Sequence, residues 1–195
     1  AAGKPLRRII ESGKIPNMIF YGPSGVGKTT VARIIADSTS MTLHKLNGTS
    51  ASTADIRDVV AEVGTFSGMN GILLYLDEIQ YFNKKQQQLL LEYMENGQIT
   101  LIASTTENPY FAVYNALTSR STVFEFKPVP PEELERAVAR GFRCMEQQLG
   151  ETIHLSDGVC GWIARGCGGD VRKAMNTVEL IVLSGEHTEN GIVIS

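Results

Sequence analysis

The sequence MIFYGPSGVGKTTVARIIA occupies residues 18–36 and joins three patterns end to end. Residues 18–21 form an apolar run typical of a buried strand, and residues 30–36 carry apolar side chains at helical spacing. Between them, residues 22–29 match G-x-x-x-x-G-K-[ST]. Glycines in such a turn let backbone N–H groups surround phosphate oxygens, and the helix that follows points its positive end at them. The pattern therefore predicts a phosphate-binding loop.

This loop supplies most of the predicted ligand contacts. Lys28 would place a positive charge on the β- and γ-phosphates of a nucleotide, and the hydroxyl of Thr29 would ligate Mg²⁺. The residues of this segment predicted to bind nucleotide are Gly22, Pro23, Ser24, Gly25, Val26, Gly27, Lys28, Thr29 and Thr30.

Residues 71–78, GILLYLDE, are the second landmark of the sequence. A nearly continuous apolar run suits a central parallel strand that is buried on both faces. Open α/β sheets bind their ligands at the carboxyl ends of such strands. Asp77 is therefore predicted to hold Mg²⁺, directly or through water, and Glu78 to orient and polarise the attacking water.

Polar residues also follow the predicted strand at residues 99–103. At the tip of a strand beside residues 71–78, such a side chain could reach the attacking water or the γ-phosphate. Thr106 is our first candidate for that role and Thr105 the second. The competing interpretation is a turn-forming polar cluster ahead of Pro109.

Two arginines are further candidates. Arg120 lies just before a predicted strand at residues 123–126, where an exposed guanidinium could reach the γ-phosphate of a neighbouring subunit. Arg172 lies in the first turn of a helix that Asp170 could cap. A cation at that end opposes the helix dipole, which suggests an anionic partner such as phosphate. For both arginines the alternative is a solvated surface residue.

The proline-rich segment at residues 127–131 is the clearest boundary in the chain. Beyond it the apolar period is helical, which predicts a nucleotide-binding domain over residues 1–128 and a helical lid domain over residues 129–195. We expect Trp162 to lie in the core of that lid, with a base-stacking platform as the alternative. Further upstream, either Ser52 or Thr53 could cap a helix, and another helix is predicted over residues 82–94.

Bulk properties limit the function classes. The chain has 195 residues and a net charge of -3, so no global basic surface points to nucleic acid, although a local one is allowed. Its three cysteines lack C-x-x-C spacing, which favours reduced thiols in a cytosolic protein. We find neither a membrane span nor a signal peptide in the sequence. The missing initiator Met and the abrupt apolar end lead us to expect a fragment of a longer protein.

In this order, the motifs resemble those of the AAA+ ATPases. Within that group the chain is most similar to the replication-associated recombination (RarA/MgsA) proteins, which are related to the Werner helicase-interacting ATPases and to clamp loaders. The segments that carry the resemblance are residues 4–8, 105–109, 115–121 and 168–174. It implies an α/β P-loop NTPase fold with a five-stranded parallel sheet flanked by helices and a small all-helical lid. Gln80 and Tyr81 depart from the His-Arg often found after Asp-Glu in this family.

The resemblance also implies roles and partners. Thr106 would be sensor 1, Arg120 the arginine finger and Arg172 sensor 2, in an enzyme that hydrolyses ATP with Mg²⁺. DNA would stimulate hydrolysis, as single-stranded or gapped DNA or at stalled forks, and single-strand-binding protein would be a partner. A homo-oligomer would form through a C-terminal domain beyond this chain, in the bacterial cytoplasm near the nucleoid and away from membranes. Two alternatives stay open, a clamp-loader-like adaptor switched by ATP binding and a RuvB-type branch-migration motor.

Overall fold

A computed structural model describes residues 3–65, 70–188 and 191–194. The described chain packs as two compact units. The first contains the residues up to Gly22 together with Gly27–Phe126, and the second contains Pro23–Val26 and the residues from Lys127 onward. Packing thus changes after residue 126, two residues before the expected end of the first domain, and four residues of the phosphate-binding loop group with the second unit.

The first unit is built on a five-stranded parallel sheet in the order β2-β3-β4-β1-β5. This confirms the fold class expected for the first domain. The strands are β1 (Met18–Tyr21), β2 (Thr42–Asn47), β3 (Ile72–Asp77), β4 (Thr100–Thr105) and β5 (Thr122–Glu125). Strands β1, β3 and β4 are almost wholly buried, because helices cover both faces of a parallel sheet.

Six helices within the described residues accompany this sheet. They are α1 (Gly3–Ser12), α2 (Lys28–Thr39), α3 (Thr53–Ala61), α4 (Lys84–Glu95), α5 (Pro109–Ala112) and α6 (Asn115–Thr118), and a 3-10 helix covers Ile79–Tyr81. Ser52, and not Thr53, caps α3, with Asp55 completing a capping box. Helix α4 begins later than residue 82 because Asn83 and Gln86 form a second capping box.

The alternation of side chains along β3 decides which residues face α2. Leu74 and Leu76 pack in the larger core, with α3 and α4. Leu73 and Tyr75 belong to the opposite core, which includes Ile35 of α2. Since side chains two residues apart share a face of a strand, Asp77 follows Tyr75 on the side of α2. The alternation of side chains along β3 therefore places Asp77 on the face of the sheet that packs against the helix beginning with Lys28.

The second unit contains three helices and a small mixed sheet. The helices are α7 (Pro131–Leu149), α8 (Val159–Gly166) and α9 (Val171–Ser184). The strands β6 (Ile153–Leu155), β7 (Glu186–Thr188) and β8 (Gly191–Ile194) pair in the order β6-β8-β7. The expectation of an all-helical lid was wrong, because strands of three or four residues are too short to show a period of their own. Asp170 caps α9 as predicted, and its side chain accepts from the N–H of Lys173 at 2.9 Å.

The placement of Trp162 was also predicted wrongly. Its side chain is 76% exposed, whereas its neighbours Ile163 and Ala164 fill the core of the second unit together with Cys167. Helix α8 has only eight residues, so its narrow inward face is complete without the indole. None of the helices within the described ranges is both of membrane-spanning length and sufficiently hydrophobic.

Candidate functional site

Two of the three glycines in the predicted phosphate-binding loop, residues 22–29, are needed for different reasons. Gly22 has φ 144° and lies so close to β5 that a Cβ there would be 2.0 Å from the carbonyl oxygen of Phe126. Gly27 has φ 94° with open space around it, so only its backbone conformation demands glycine. Lys28 opens α2, is buried, and donates from Nζ to the carbonyl oxygen of Gly22 at 2.7 Å.

The tip of the loop packs within the second unit. The carbonyl oxygen of Gly25 accepts from the N–H of Val171 at 3.0 Å, and a Cβ on Gly25 would meet Asp170 Oδ1 at 1.8 Å. Arg172 follows in the first turn of α9 with an exposed side chain. Of the other loop residues, Pro23 and Ser24 are exposed and Val26 is buried, whereas Thr30 is exposed on α2.

A chain of side-chain hydrogen bonds links the start of α2 to the end of β3. Thr29 Oγ1 lies 3.0 Å from the hydroxyl of Tyr75, which in turn lies 3.3 Å from Asp77 Oδ1. Ser104, on β4, donates to the same carboxylate oxygen of Asp77. Burial raises the pKa of Tyr75 to about 12, so its hydroxyl stays protonated and can donate across the physiological pH range.

The donors assembled here suit Mg²⁺. Mg²⁺ in phosphate sites is usually held by one or two side-chain oxygens together with substrate phosphates and waters. Thr29 offers a hydroxyl and Asp77 a carboxylate, and the hydrogen-bond chain through Tyr75 holds the two close together. Among the described residues, no group of three or more His, Cys, Asp or Glu side chains could hold a metal ion, so phosphates and waters would supply the remaining ligands of Mg²⁺.

Glu78 occupies a strained and well-supported position. It has φ 56° and ψ 53°, a left-handed conformation that costs a non-glycine residue about 1–3 kcal/mol. Its Oε2 accepts from the amide of Gln80 and lies 3.5 Å from the hydroxyl of Thr106. Thr105 is fully buried and its hydroxyl accepts from the N–H of Glu107 at 3.0 Å, so of the two threonines only Thr106 contacts Glu78 in this arrangement.

A glycine on the neighbouring strand end supports this turn. The N–H of Gly48 donates to the carbonyl oxygen of Asp77 at 2.7 Å. A Cβ on Gly48 would lie 2.2 Å from the carbonyl oxygen of Glu78. Gly48 therefore lets the chain after β2 approach the Asp77–Glu78 turn closely.

Arg120 forms an ion pair on the surface of the first unit. Its Nε lies 2.6 Å from Glu95 Oε1, and the two side chains are 47% and 46% exposed. Its Nη1 also donates to the carbonyl oxygen of Ala116 at 3.2 Å. An exposed pair of this kind contributes about 0–1 kcal/mol, so Arg120 can exchange partners at little cost.

Sequence reasoning missed Tyr75, Ser104 and Gln80 as parts of this site. One signal could have revealed Tyr75, since it precedes Asp77 by two residues in a strand and so shares its face. Ser104 reaches Asp77 only because Leu76 pairs with Ala103 in the parallel register of β3 and β4. No sequence pattern announces the contact between Gln80 and Glu78.

Comparisons with known proteins place the chain in a family. The family described as "ATPase family associated with various cellular activities (AAA)" matches residues 18–129. Replication-associated recombination protein A of Bacillus subtilis is 40% identical over 192 residues, covering 98% of this chain and 45% of that protein. Its counterpart in Escherichia coli K12 is 36% identical over 194 residues, covering 98% and 43%. The chain spans less than half the length of these relatives.

A solved structure shares the fold. The RuvB Holliday junction branch migration motor of Thermotoga maritima superposes with a TM-score of 0.82 at 24% identity, covering 100% of this chain and 64% of that one. At that identity the likeness concerns the fold alone. From the family match over residues 18–129 and the similarity along nearly its whole length, we conclude that the chain belongs to the AAA family of ATPases and resembles the replication-associated recombination protein A branch of it, as its motifs predicted.

Proposed function

We propose that the chain is the ATPase core of a DNA-dependent AAA+ protein that acts in replication-fork maintenance, recombination and repair. One observation carries the ATPase assignment. Thr29, which follows Lys28 at the start of α2, is joined to Asp77 at the end of β3 through the hydroxyl of Tyr75. An ammonium, a hydroxyl and a carboxylate at the same edge of a parallel sheet suit a nucleoside triphosphate with its metal.

In the proposed reaction, water attacks the γ-phosphorus of ATP in line with the bond to the bridging oxygen. That bond breaks, ADP leaves, and Glu78 accepts the proton of the attacking water. Lys28 offsets negative charge that builds up on the phosphate oxygens. A magnesium ion held there would neutralise part of the charge on the phosphate oxygens. Thr29 and Asp77 would hold it.

Three more residues receive proposed roles from the resemblance together with their surroundings. Thr106 would orient the attacking water as sensor 1, and its hydroxyl is 3.5 Å from Glu78 Oε2. Arg120 would leave Glu95 and reach the γ-phosphate of ATP in a neighbouring subunit. Arg172 would contact phosphate as sensor 2. A cation in the first turn of a helix opposes the helix dipole, and a bound phosphate would offset that repulsion.

The DNA and protein partners are proposed from the family resemblance. Replication-associated recombination protein A is one relative whose name points to replication and recombination. The ATPase WRNIP1 of Dictyostelium discoideum is another relative, 31% identical over 189 residues, covering 96% of this chain and 22% of that protein. We propose single-stranded, gapped or forked DNA as the stimulating ligand, single-strand-binding protein as a partner, and assembly through residues outside this chain. The RuvB-type motor remains an alternative supported by fold likeness alone.

The first test asks whether the loop binds nucleotide. Lys28→Ala should abolish ATP binding measured by calorimetry, because it removes the cation that faces the phosphates. Lys85→Ala, an exposed lysine in the first turn of α4, is the matched control and should bind ATP as the wild type does. Unchanged ATP affinity in Lys28→Ala would remove the central assignment.

The second test separates binding from hydrolysis. Glu78→Gln should keep ATP affinity and lose turnover, since an amide cannot accept the proton of water. Turnover is measured in the full-length protein with single-stranded, gapped and duplex DNA. Turnover that no DNA accelerates would contradict the DNA-dependent motor.

A clamp-loader-like adaptor is the second candidate, and one observation favours it. Gln80 donates to Glu78 Oε2, one of the two carboxylate oxygens that could accept the proton of water. An ATPase with its base so engaged turns over slowly and acts as a switch, in which ATP binding favours one conformation. If Gln80→Ala raises turnover and DNA has no effect on it, the adaptor is supported over the motor.

A further inference from the structure

The hydroxyl of Tyr75 has an unusual position for a residue of the core. The ring is 1% exposed and packs in the core on the α2 face of the sheet. Its oxygen nevertheless lies between two polar groups, 3.0 Å from Thr29 Oγ1 and 3.3 Å from Asp77 Oδ1. Those two groups come from different elements, α2 and β3. A phenylalanine would fill the same space, so packing alone does not explain the hydroxyl.

The protons in this chain of hydrogen bonds can be assigned by elimination. A carboxylate only accepts, so both Tyr75 and Ser104 donate to Asp77 Oδ1. That use takes the single proton of the Tyr75 hydroxyl. The contact between Thr29 and Tyr75 therefore has Thr29 as the donor and the phenolic oxygen as the acceptor.

This direction has a consequence for Thr29. A threonine hydroxyl binds a cation through a lone pair of its oxygen, and its proton must then point elsewhere. Donation to Tyr75 holds the proton on the protein side and leaves the lone pairs of Thr29 for a ligand. The same network acts on Asp77, whose two described side-chain hydrogen bonds both end on Oδ1. The other carboxylate oxygen is left for a metal or its water.

We propose that Tyr75 is a positioning residue for magnesium, which orients Thr29 and Asp77 together through one buried hydroxyl. The inference rests on the proposed nucleotide site and adds to it a residue from the middle of a core strand. Groups that hydrogen-bond to metal ligands fix their orientation, and their removal typically lowers metal affinity about 10–100-fold.

The test is Tyr75→Phe in the 195-residue chain, which keeps the ring and removes only the hydroxyl. A fluorescent ADP analogue is titrated in EDTA, and Mg²⁺ is then titrated into the nucleotide complex. We expect nucleotide affinity in EDTA to stay within about 2-fold of the wild type, and the apparent Mg²⁺ affinity to fall about 10–100-fold.

The matched control is Tyr93→Phe, which removes a hydroxyl from a partly buried tyrosine of α4. It should leave both affinities unchanged. Ser104→Ala removes the other donor to Asp77 and should also weaken Mg²⁺ selectively, so it carries the test if Tyr75→Phe fails to fold.

The outcomes separate the two proposals. Mg²⁺ affinity equal to that of the wild type in Tyr75→Phe overturns the positioning role and leaves the nucleotide site intact. Equal losses of nucleotide binding in EDTA and in Mg²⁺ assign Tyr75 to structure alone and overturn the role as well. A wild-type chain that binds no nucleotide under either condition overturns both the positioning role and the proposed function.

Discussion

Gly48→Ala perturbs the turn that carries Asp77 and Glu78 without touching either side chain. The new Cβ would lie 2.2 Å from the carbonyl oxygen of Glu78 and 3.2 Å from that of Asp77. Both obstacles are backbone atoms, so no flexible side chain can move aside. The carbonyl of Glu78 also accepts from the N–H of Tyr81 at 3.1 Å, which ties it to the 3-10 helix that follows.

The size of the effect follows from this geometry. The Cβ lies 2.2 Å from the Glu78 oxygen and an ordinary contact is 3.4–4 Å, so the two atoms must separate by a further 1.2–1.8 Å. Overpacking of this kind costs about 1–3 kcal/mol. A loss of about 2 kcal/mol lowers the melting temperature of a domain of this size by about 4–8 °C. The shift also strains the short hydrogen bond from Gly48 to Asp77 and displaces Glu78. ATP hydrolysis should therefore fall more than ATP binding.

Scanning calorimetry and ATP titration measure the two effects. Gly166→Ala is the matched control, because that glycine has no positive φ and no atom within 4 Å of an added Cβ. Placed at the end of α8, alanine should leave stability unchanged or raise it by up to about 1 kcal/mol. Equal melting temperatures for the two variants would refute the reasoning, since close approach to Glu78 would then carry no cost.

Three further predictions concern the backbone and surface of the first unit. Gly27→Ala should cost about 1–2 kcal/mol in urea unfolding, from its φ of 94° alone, because open space surrounds its Cβ; a loss well above this range would point to a hidden clash. Glu95→Gln breaks the exposed ion pair with Arg120 and should change the free energy of unfolding by no more than about 1 kcal/mol, which a loss of several kcal/mol would contradict. Ser52→Ala should destabilise the chain by about 1 kcal/mol at neutral pH, because it removes the cap of α3. Backbone and side-chain hydrogen bonds from Ser52 lower the pKa of Asp55, so the ionised carboxylate favours folding above the ordinary Asp pKa of about 4. The stability lost in Ser52→Ala should therefore shrink as the pH falls through and below that value. A loss of stability that grows with acidity would contradict this pH dependence.

Local sequence was enough to predict the buried strand β3, the strand–glycine-rich loop–helix unit around residues 22–29 and the cap of α9, and it narrowed the cap of α3 to Ser52 or Thr53. Each of these depends on neighbouring residues in one segment, as in the glycines of residues 22–29 or the side chain of Asp170 at the start of α9. The arrangement of Lys28, Thr29, Asp77 and Glu78 also follows from strand order, because parallel strands bring their carboxyl ends to one edge. Apart from that arrangement, these features are encoded by contiguous residues.

Tertiary structure alone decided the features that join distant segments. The small sheet of the second unit includes the pairing of Ile153 in β6 with Ile192 in β8, and the sequence of neither short strand predicts that partner. The hydroxyl of Tyr75 reaches Thr29 only because α2 lies against β3. Ser104 reaches Asp77 only because β4 pairs with β3 in the observed register. The physical reason is that periodicity and propensity act over a few residues, whereas pairing and buried hydrogen bonds depend on which segments the folded chain brings within reach.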